Sequence, residues 1–264
     1  MISKTFWHGK SVLVTGGSSG IGRELCIAAA AAGGRVGIMA RRSGELAETA
    51  ARARAAGGVA EAVSCDVTDQ AAVAAAVATL ESRLGPCDVA IACAGIHRTS
   101  WPLDAATARA VLDVNAGGTI NFLATVLPGM LGRGRGHVCG VASLAAIVGL
   151  PGNAAYCASK AAMIALLESL RTDCGPAGVR VTTACPGFVD TPMVTDEERR
   201  SGGLLAADAA ALQIMRAIER GRAEAWFPRR TTLAARLVRG LPAGLRGRIL
   251  RGTPPMREAP RGEP

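Results

Sequence analysis

The feature that most constrains the fold is the segment TGGSSGIG (15–22), which continues directly from the apolar run SVLV (11–14). Its spaced glycines allow the chain to turn sharply between a strand and a helix, and to approach a ligand closely. The N-terminus of the following helix then favours a phosphate group. The segment therefore predicts a dinucleotide-phosphate turn, with contacts from Gly16, Ser18, Ser19, Gly20, Ile21 and Gly22.

The rest of the chain alternates short apolar runs with longer helical segments. Strands are predicted at 11–16, 35–40, 59–67, 88–95, 137–143, 179–187 and 224–228. Helices are predicted at 21–32, 69–84, 104–130, 154–173 and 206–220, and another is predicted to follow the second strand and to end at residue 56. Such alternation implies parallel strands joined by helical crossovers. We therefore expect a single α/β domain with a doubly wound, Rossmann-type parallel sheet of about seven strands flanked by helices. A length of 264 residues fits one such domain.

Composition argues against several other classes of protein. Hydrophobic residues make up 49% of the chain and no secretory signal or membrane-spanning apolar window is recognised, so we expect a cytoplasmic protein. The eight cysteines show no C-x-x-C spacing and are predicted to be reduced core residues. The scattered His8, His97 and His137 predict no metal site. His97 and Trp101 can either line a pocket or belong to a loop.

The end of the second strand predicts the choice of cofactor. An acid there would bind a free ribose 2′-hydroxyl, whereas this chain has Ala40-Arg41-Arg42 with no acid beside it in the sequence. Guanidinium groups suit a 2′-phosphate, which predicts NADP(H) rather than NAD(H), with Arg41 favoured over Arg42. One or both arginines can instead be solvated helix-start residues. Asp66, which closes the third strand, either accepts a hydrogen bond from the adenine amino group or caps the next helix.

Three further residues suggest proton chemistry. Tyr156 is the only tyrosine, and Lys160 follows one helical turn later, so the two share a helix face. A nearby ammonium is expected to lower the pKa of the phenol, and Ser143 is expected to donate a hydrogen bond to a carbonyl oxygen. Taken singly, each residue has an ordinary alternative: a packed tyrosine, a solvated lysine or a turn serine.

Together these motifs resemble the short-chain dehydrogenases/reductases over roughly residues 9–195. TGGSSGIG matches the cofactor loop of that family, Asn115 in LDVNAGG its helix asparagine, and Ser143, Tyr156 and Lys160 its catalytic set. PGFVDTPM (186–193) is similar to the segment that closes over the nicotinamide. Two departures stand out. Cys93 replaces an asparagine frequent in the family, and the ending typical of bacterial 3-oxoacyl carrier-protein reductases is missing.

The resemblance implies an NADP-dependent oxidoreductase that transfers a hydride between the nicotinamide and a ketone, an aldehyde or a secondary alcohol. It implies that Tyr156 moves the proton and that Asn115 holds a water that relays protons to Lys160. It also implies a homodimer or homotetramer formed through 104–130 and 154–173. The remaining cofactor contacts that it implies are Val67, Ala94, Gly95, Tyr156, Lys160, Pro186, Gly187, Val189 and Thr191.

The apolar segment 188–215 favours a hydrophobic substrate, such as a 3-oxoacyl chain or a keto-sphingoid base. An alternative of another class is a non-catalytic NADP(H)-binding sensor or scaffold. We expect residues 1–228 to form the dinucleotide-binding domain, with a substrate loop and helix over about 188–220 and a basic amphipathic extension over 229–264.

The extension carries most of the net charge. Residues 216–264 hold 12 arginines and 4 glutamates, which accounts for +8 of the net +9. Leu233, Leu237 and Leu241 are spaced by four, and Leu245 and Ile249 continue the series. Residues 229–252 therefore form either a lid or subunit interface, or a segment that contacts anionic lipid. No aromatic platform or binding module for nucleic acid is present in this segment.

Overall fold

A computed structural model of the chain describes residues 2–194, 199 and 203–251. Seven parallel strands form one sheet in the order β3-β2-β1-β4-β5-β6-β9. This confirms the predicted doubly wound sheet and single α/β domain. The strands are β1 Ser11–Thr15, β2 Arg35–Ala40, β3 Val59–Ser64, β4 Val89–Ala92, β5 Gly136–Val141, β6 Val179–Pro186 and β9 Glu224–Phe227.

Helices cover both faces of this sheet because its strands are apolar on both sides. Val12 and Val14 of β1 belong to the core on one face, with Leu25 and Ile214, while Leu13 belongs to the core on the other face. This is the alternation of a strand buried on both sides. The helices are α1 Lys4–Trp7, α2 Gly20–Ala31, α3 Ser43–Ala55, α4 Gln70–Leu84, α5 Ala105–Leu112, α6 Gly118–Gly132, α7 Ala154–Cys174, α8 Ala207–Glu219, α9 Arg229–Gly240 and α10 Ala243–Arg251.

The structure differs from the sequence prediction at three places. Strands β3 and β4 end at Ser64 and Ala92, earlier than predicted, because the chain leaves the sheet there to form loops at its carboxyl edge. The long helix predicted over 104–130 is interrupted by a π-helical turn at Asp113–Gly117. A short second sheet pairs β7 Val189–Asp190 with β8 Leu205–Ala206, which the sequence did not predict.

The segment Ala105–Gly132 corrects one expectation. An 18-residue window within it has a mean hydropathy of 1.3, and this window and the segment's length of 28 residues suffice, by length and composition only, to cross a membrane. Such a segment is weak evidence for a span, since core helices pass the same test. Here Phe122, Leu123 and Met130 are buried in the core against the sheet.

The cysteines and the end of the chain complete the comparison. All eight cysteines are free, and all but Cys93 are buried, as predicted for core residues. Within the described residues no group of three or more His, Cys, Asp or Glu side chains could hold a metal ion. The predicted disorder after Gly252 lies outside the described residues.

A buried histidine in β5 generates a prediction about stability. The His137 side chain is paired through Nε2 with Thr182 Oγ1 at 2.8 Å. Burial, together with the charges of Arg180 and Lys10, lowers the pKa of His137 from 6.5 to about 4. The unfolded chain therefore binds a proton at this residue at a pH where the folded chain does not. The folded state loses stability as the pH falls from 6.5 towards 4.

We expect this loss to be roughly 2 kcal/mol between pH 7 and pH 4.5, because one pKa unit corresponds to about 1.4 kcal/mol. His137→Gln removes the titrating group, so its free energy of unfolding is expected to fall less over this range. Urea denaturation of both proteins at the two pH values measures the difference. Equal losses in the two proteins would contradict the assignment.

Candidate active site

The described residues enclose a cavity of about 880 Å³ at the carboxyl edge of the sheet. Loops that follow β1, β2, β3, β4, β5 and β6 all contribute to its wall, as is typical of open α/β sheets. Ser143, Tyr156 and Lys160 line this cavity, and so does every predicted cofactor residue except Asp66. Those lining residues are Gly16, Ser18, Ser19, Gly20, Ile21, Gly22, Arg41, Arg42, Val67, Ala94, Gly95, Pro186, Gly187, Val189 and Thr191.

The glycine loop forms a cradle in which three glycines have no room for a side chain. A Cβ atom at Gly16, where φ is +70°, would lie 2.6 Å from Ala94 Cα, and a Cβ at Gly22 would overlap the carbonyl oxygen of Gly16. A Cβ at Gly20, where φ is +52°, would lie 3.0 Å from Thr191 Cγ2. These positions therefore require glycine, which allows the loop to turn tightly and to pack closely against its neighbours at the edge of the cavity. The cradle fits the pyrophosphate of a dinucleotide cofactor.

Two features give this cradle positive electrostatic potential. Helix α2 begins at Gly20, and the side chain of its N-cap residue, Ser19, makes no capping hydrogen bond. The first backbone amides of α2 thus remain free for an anion. Arg42 Nη2 donates to Ser18 Oγ at 3.3 Å and to Ser19 Oγ at 3.0 Å, which holds the guanidinium beside the glycine loop.

The two arginines after β2 are both close to acids, contrary to the expectation from sequence. Arg42 pairs with Glu45 at 2.8 Å, and Arg41 pairs with Asp66 at 3.6 Å. Of the two guanidinium groups, Arg42 also contacts the glycine loop, whereas the sequence favoured Arg41. The acids come close because α3 begins directly after the arginines and the end of β3 lies beside β2.

Asp66 does not cap the helix that follows it, which was one of the two roles weighed from sequence, and the hydrogen bond from the adenine amino group stays a prediction. Its carboxylate accepts hydrogen bonds from the amide and the hydroxyl of Thr68, at 2.9 and 2.8 Å. Asp69, not Asp66, caps α4 by accepting from the amide of Ala72. Although burial acts to raise it, the Thr68 hydrogen bonds and the Arg41 charge hold the pKa of Asp66 below its ordinary value. Asp66 is thus absent from the cavity lining and is engaged by its neighbours.

Tyr156 lies in the first turns of α7 and, like Ser143, lines the cavity. Burial raises the pKa of Tyr156 to about 12, although a hydrogen bond with Ser143 acts to lower it. The expected lowering of this pKa by Lys160 is therefore wrong for this structure, in which burial of the phenol has the largest effect. Lys160 Nζ lies 5.8 Å from the centre of the tyrosine ring. At neutral pH the phenol holds its proton.

Ser143 is positioned by the turn that follows β5. Its Oγ accepts a hydrogen bond from the amide of Ala145 at 3.1 Å, at the start of the 3-10 turn Leu144–Ala146. Since that bond uses the oxygen as acceptor, the hydroxyl proton can be donated either to Tyr156 or to a ligand in the cavity. Ser143 can thus donate towards a substrate oxygen.

Lys160 is a buried cation. Its Nζ donates to the main-chain oxygen of Val141 at 2.9 Å. Burial lowers the pKa of Lys160 to about 8, opposed by the nearby thiols of Cys93 and Cys185. An ammonium group has three protons to donate, so Lys160 retains donors for a ligand in the cavity.

Asn115 supports the site from behind the cavity wall. It is fully buried in the π-helical turn, and its Oδ1 accepts from the amide of Ile96 at 2.7 Å. Its Nδ2 donates to Ile96 O at 3.0 Å and to Ser159 Oγ at 2.9 Å. The side chain thus ties the loop after β4 to the helix that carries Tyr156 and Lys160. π-helical turns are frequent at functional sites.

From the sequence, the choice between a pocket role and a loop role for His97 stayed undecided, and its hydrogen-bond partner was not predicted. His97 lines the cavity, and its ring meets that of Tyr156 edge-on, with centroids 4.9 Å apart. Its Nε2 pairs with Oδ1 of Asn153, a fully buried residue whose Nδ2 donates to Pro151 O. No sequence pattern could have joined residues 56 positions apart. Trp101, weighed alongside His97, is exposed and does not line the cavity.

The C-terminal helices also contribute to the cavity. Thr231, Ala235 and Val238 of α9 and Leu250 of α10 line it. The first three are spaced so that they lie on one helix face. This spacing is visible in the sequence, but the more regular leucine series of the same segment drew the interpretation instead. The predicted alternative of a lid therefore agrees with the position of these helices.

Comparisons with known proteins agree with this geometry. A model of the short chain dehydrogenase family matches residues 10–202. An uncharacterized oxidoreductase of Myxococcus xanthus is 38% identical over 235 residues, which are 88% of this chain and 93% of that protein. The ketoacyl reductase HetN of a Nostoc species is 32% identical over 212 residues, which are 80% of this chain and 74% of HetN.

A solved structure gives the same result for the fold. Levodione reductase superposes with a TM-score of 0.81 at 24% identity, covering 86% of this chain and 99% of the other. The family model spans well over half of the chain, and the Myxococcus relative matches over nearly its full length. The chain belongs to the short-chain dehydrogenase family, oxidoreductases of CH–OH and C=O groups that use nicotinamide cofactors.

Proposed function

We propose that this protein is an NADP(H)-dependent reductase of hydrophobic ketones or aldehydes, or a dehydrogenase of the matching secondary alcohols. The observation that carries the proposal is that one cavity is lined by the glycine cradle, by both arginines and by Ser143, Tyr156 and Lys160. A bound nicotinamide dinucleotide would supply the hydride. The protein would supply binding, orientation and the proton.

The residues of the cavity support reduction at neutral pH. Tyr156 holds its proton there because burial raises the pKa of its phenol to about 12. A neutral phenol can give that proton to a substrate oxygen as negative charge develops on it. The Ser143 hydroxyl can orient the same oxygen, and a charged Lys160 favours the phenolate that remains. We propose that Asn115 acts by positioning this set, because its side chain is engaged by Ile96 and Ser159.

The lining of the cavity supports a hydrophobic substrate. Beyond the glycine loop and the polar residues, much of the wall is made of aliphatic, aromatic and thioether side chains. They include Leu144, Val148, Leu150, Phe188, Met193, Val194, Val238 and Leu250. An apolar chain, such as that of a 3-oxoacyl group or a keto-sphingoid base, can be buried against such a wall. The relative HetN is named a ketoacyl reductase, which is consistent with this class.

The proposal includes assembly and location. We propose a homodimer or homotetramer in the cytoplasm, formed through the α5–α6 segment and α7. Leu112, Ile120 and Leu131 support this, since they are large hydrophobic side chains that stay exposed on that segment. Light scattering after gel filtration would measure the mass.

Substitution of the phenol tests the chemistry. Tyr156→Phe keeps the ring and removes the proton donor, so kcat for ketone reduction is expected to fall by about 10²–10⁴-fold. The NADPH dissociation constant is expected to change by less than about twofold, since the loss concerns proton transfer and not binding. NADPH oxidation with a panel of hydrophobic ketones, and NADPH fluorescence titration, give the two numbers.

Two outcomes would contradict this mechanism. Turnover that survives Tyr156→Phe would exclude the phenol as the proton donor. Tight NADPH binding by the wild type without turnover of any ketone or alcohol in the panel would favour a non-catalytic NADP(H)-binding sensor or scaffold.

Substitution of the arginines tests the cofactor. Arg42→Ala is expected to weaken NADPH binding by about tenfold or more, because it removes a charge-assisted contact to the 2′-phosphate, and to leave NADH binding unchanged. Arg41→Ala is expected to have a smaller effect because Arg42, and not Arg41, donates hydrogen bonds to the serines of the glycine loop. Arg52→Ala, on the same helix but outside the cavity lining, is the matched control. Equal loss of NADPH and NADH affinity on Arg42→Ala would argue against a 2′-phosphate contact.

A further inference from the structure

Helices α9 and α10 present an apolar outer surface with no partner in the described part of the chain. Leu233 and Leu237 of α9 are 61% and 65% exposed, and Leu245 and Ile249 of α10 are also exposed. Each pair is spaced by four residues, which places its members on one helix face. Four large exposed hydrophobic side chains on two consecutive helices indicate a contact surface.

The opposite face of the same helices is already used. Thr231, Ala235 and Val238 line the cavity, and in a helix these positions point away from Leu233 and Leu237. The helices therefore have an inner face towards the cavity and an outer face towards solvent. The outer leucines are not needed for closing the cavity.

Specific contacts hold these helices in place. The guanidinium of Arg236 lies over the ring of Trp226 in β9, 5.0 Å from its centroid. Arg246 Nη1 donates to the main-chain oxygens of Arg239 and Leu241, at 3.0 and 3.2 Å, which joins α10 to the end of α9. The outer surface is thus preformed and does not require the helices to refold.

The charge around the leucines has one sign. Residues 229–251 contain seven arginines and no acidic residue. None of the seven takes part in an ion pair among the described residues. Exposed hydrophobic side chains interspersed with unpaired arginines match the chemistry of an anionic lipid surface, in which acyl chains receive the leucines and head groups receive the arginines.

A second copy of this chain fits the surface less well. A twofold contact would place the same patch on both sides, so arginines would meet arginines, and residues 229–251 contain no acidic residue to pair with them. Like charges in an interface oppose association. The absence of acids therefore favours a negatively charged partner.

We propose that the outer face of α9 and α10, formed by Leu233, Leu237, Leu245 and Ile249 with the surrounding arginines, docks the protein on anionic bilayers. The leucines enter the interface between head groups and acyl chains, and the arginines bind anionic head groups. The contact is peripheral and reversible, and it holds the cavity at the membrane surface. It does not depend on the reaction that takes place in the cavity.

Vesicle flotation with the full chain tests this directly. The probe is a vesicle of phosphatidylcholine alone, compared with one that also contains phosphatidylglycerol. The wild type is expected to float with the anionic vesicles at least about tenfold more than with the neutral ones, and to be released as the NaCl concentration is raised.

Two variants test whether vesicle binding depends on the leucines of this surface or on any exposed hydrophobic side chain. Leu233→Gln combined with Leu237→Gln is expected to reduce binding to anionic vesicles by about tenfold or more. Leu103→Gln is the matched control, because Leu103 is 62% exposed and lies in the loop before α5, outside α9 and α10. It is expected to float like the wild type. Thermal unfolding by circular dichroism checks that the variants remain folded.

Three results would overturn the proposal. The first is a wild type that does not float, or floats equally with neutral and anionic vesicles. The second is a folded double variant that floats like the wild type. The third is a mass by light scattering that falls on the double substitution while flotation is unchanged, which would assign the surface to a second copy of the chain.

Discussion

The site depends on one buried side chain, that of Asn115. Its amide group contacts the backbone of Ile96 through both the donor and the acceptor, and it also bonds Ser159 in the neighbouring helix. These bonds hold the loop after β4 against α7. The cavity wall formed by that loop therefore keeps a fixed position relative to Tyr156 and Lys160. A buried amide must satisfy its hydrogen bonds within the protein, and the π-helical turn around it supplies the orientation that this requires.

Burial then determines how the reactive groups are protonated. It lowers the pKa of Lys160 to about 8 and raises that of Tyr156 to about 12. Burial disfavours the charged form of each group, which is the protonated form of lysine and the deprotonated form of tyrosine. From sequence alone the lysine was expected to lower the pKa of the tyrosine. The packing of α7 against the sheet reverses the direction, and the phenol is left as a proton donor at neutral pH.

The C-terminal helices link the cavity to the surface of the protein. Val238 and Leu250 line the cavity, while Leu233 and Leu237 face outwards. A helix that is apolar on two faces needs a partner on each side. The inner face of these helices covers the cavity. The outer leucines are surrounded by basic residues without acids, which indicates that the outer face suits an anionic partner.

The sequence by itself determined the sheet, the glycine cradle and the set of Ser143, Tyr156 and Lys160 that lines the cavity. These features follow from local patterns, namely apolar runs, glycine spacing and a tyrosine and lysine one turn apart, and local patterns are readable along the chain. Only the tertiary structure decided the pairing of Arg41 with Asp66, the contacts of Arg42 with the loop serines, and the pairing of His97 with Asn153. It also decided the π-helical turn at Asn115 and the direction of the Tyr156 pKa shift. These depend on burial and on side chains that are distant in sequence, and such contacts exist only once the sheet has brought its loops together at one edge.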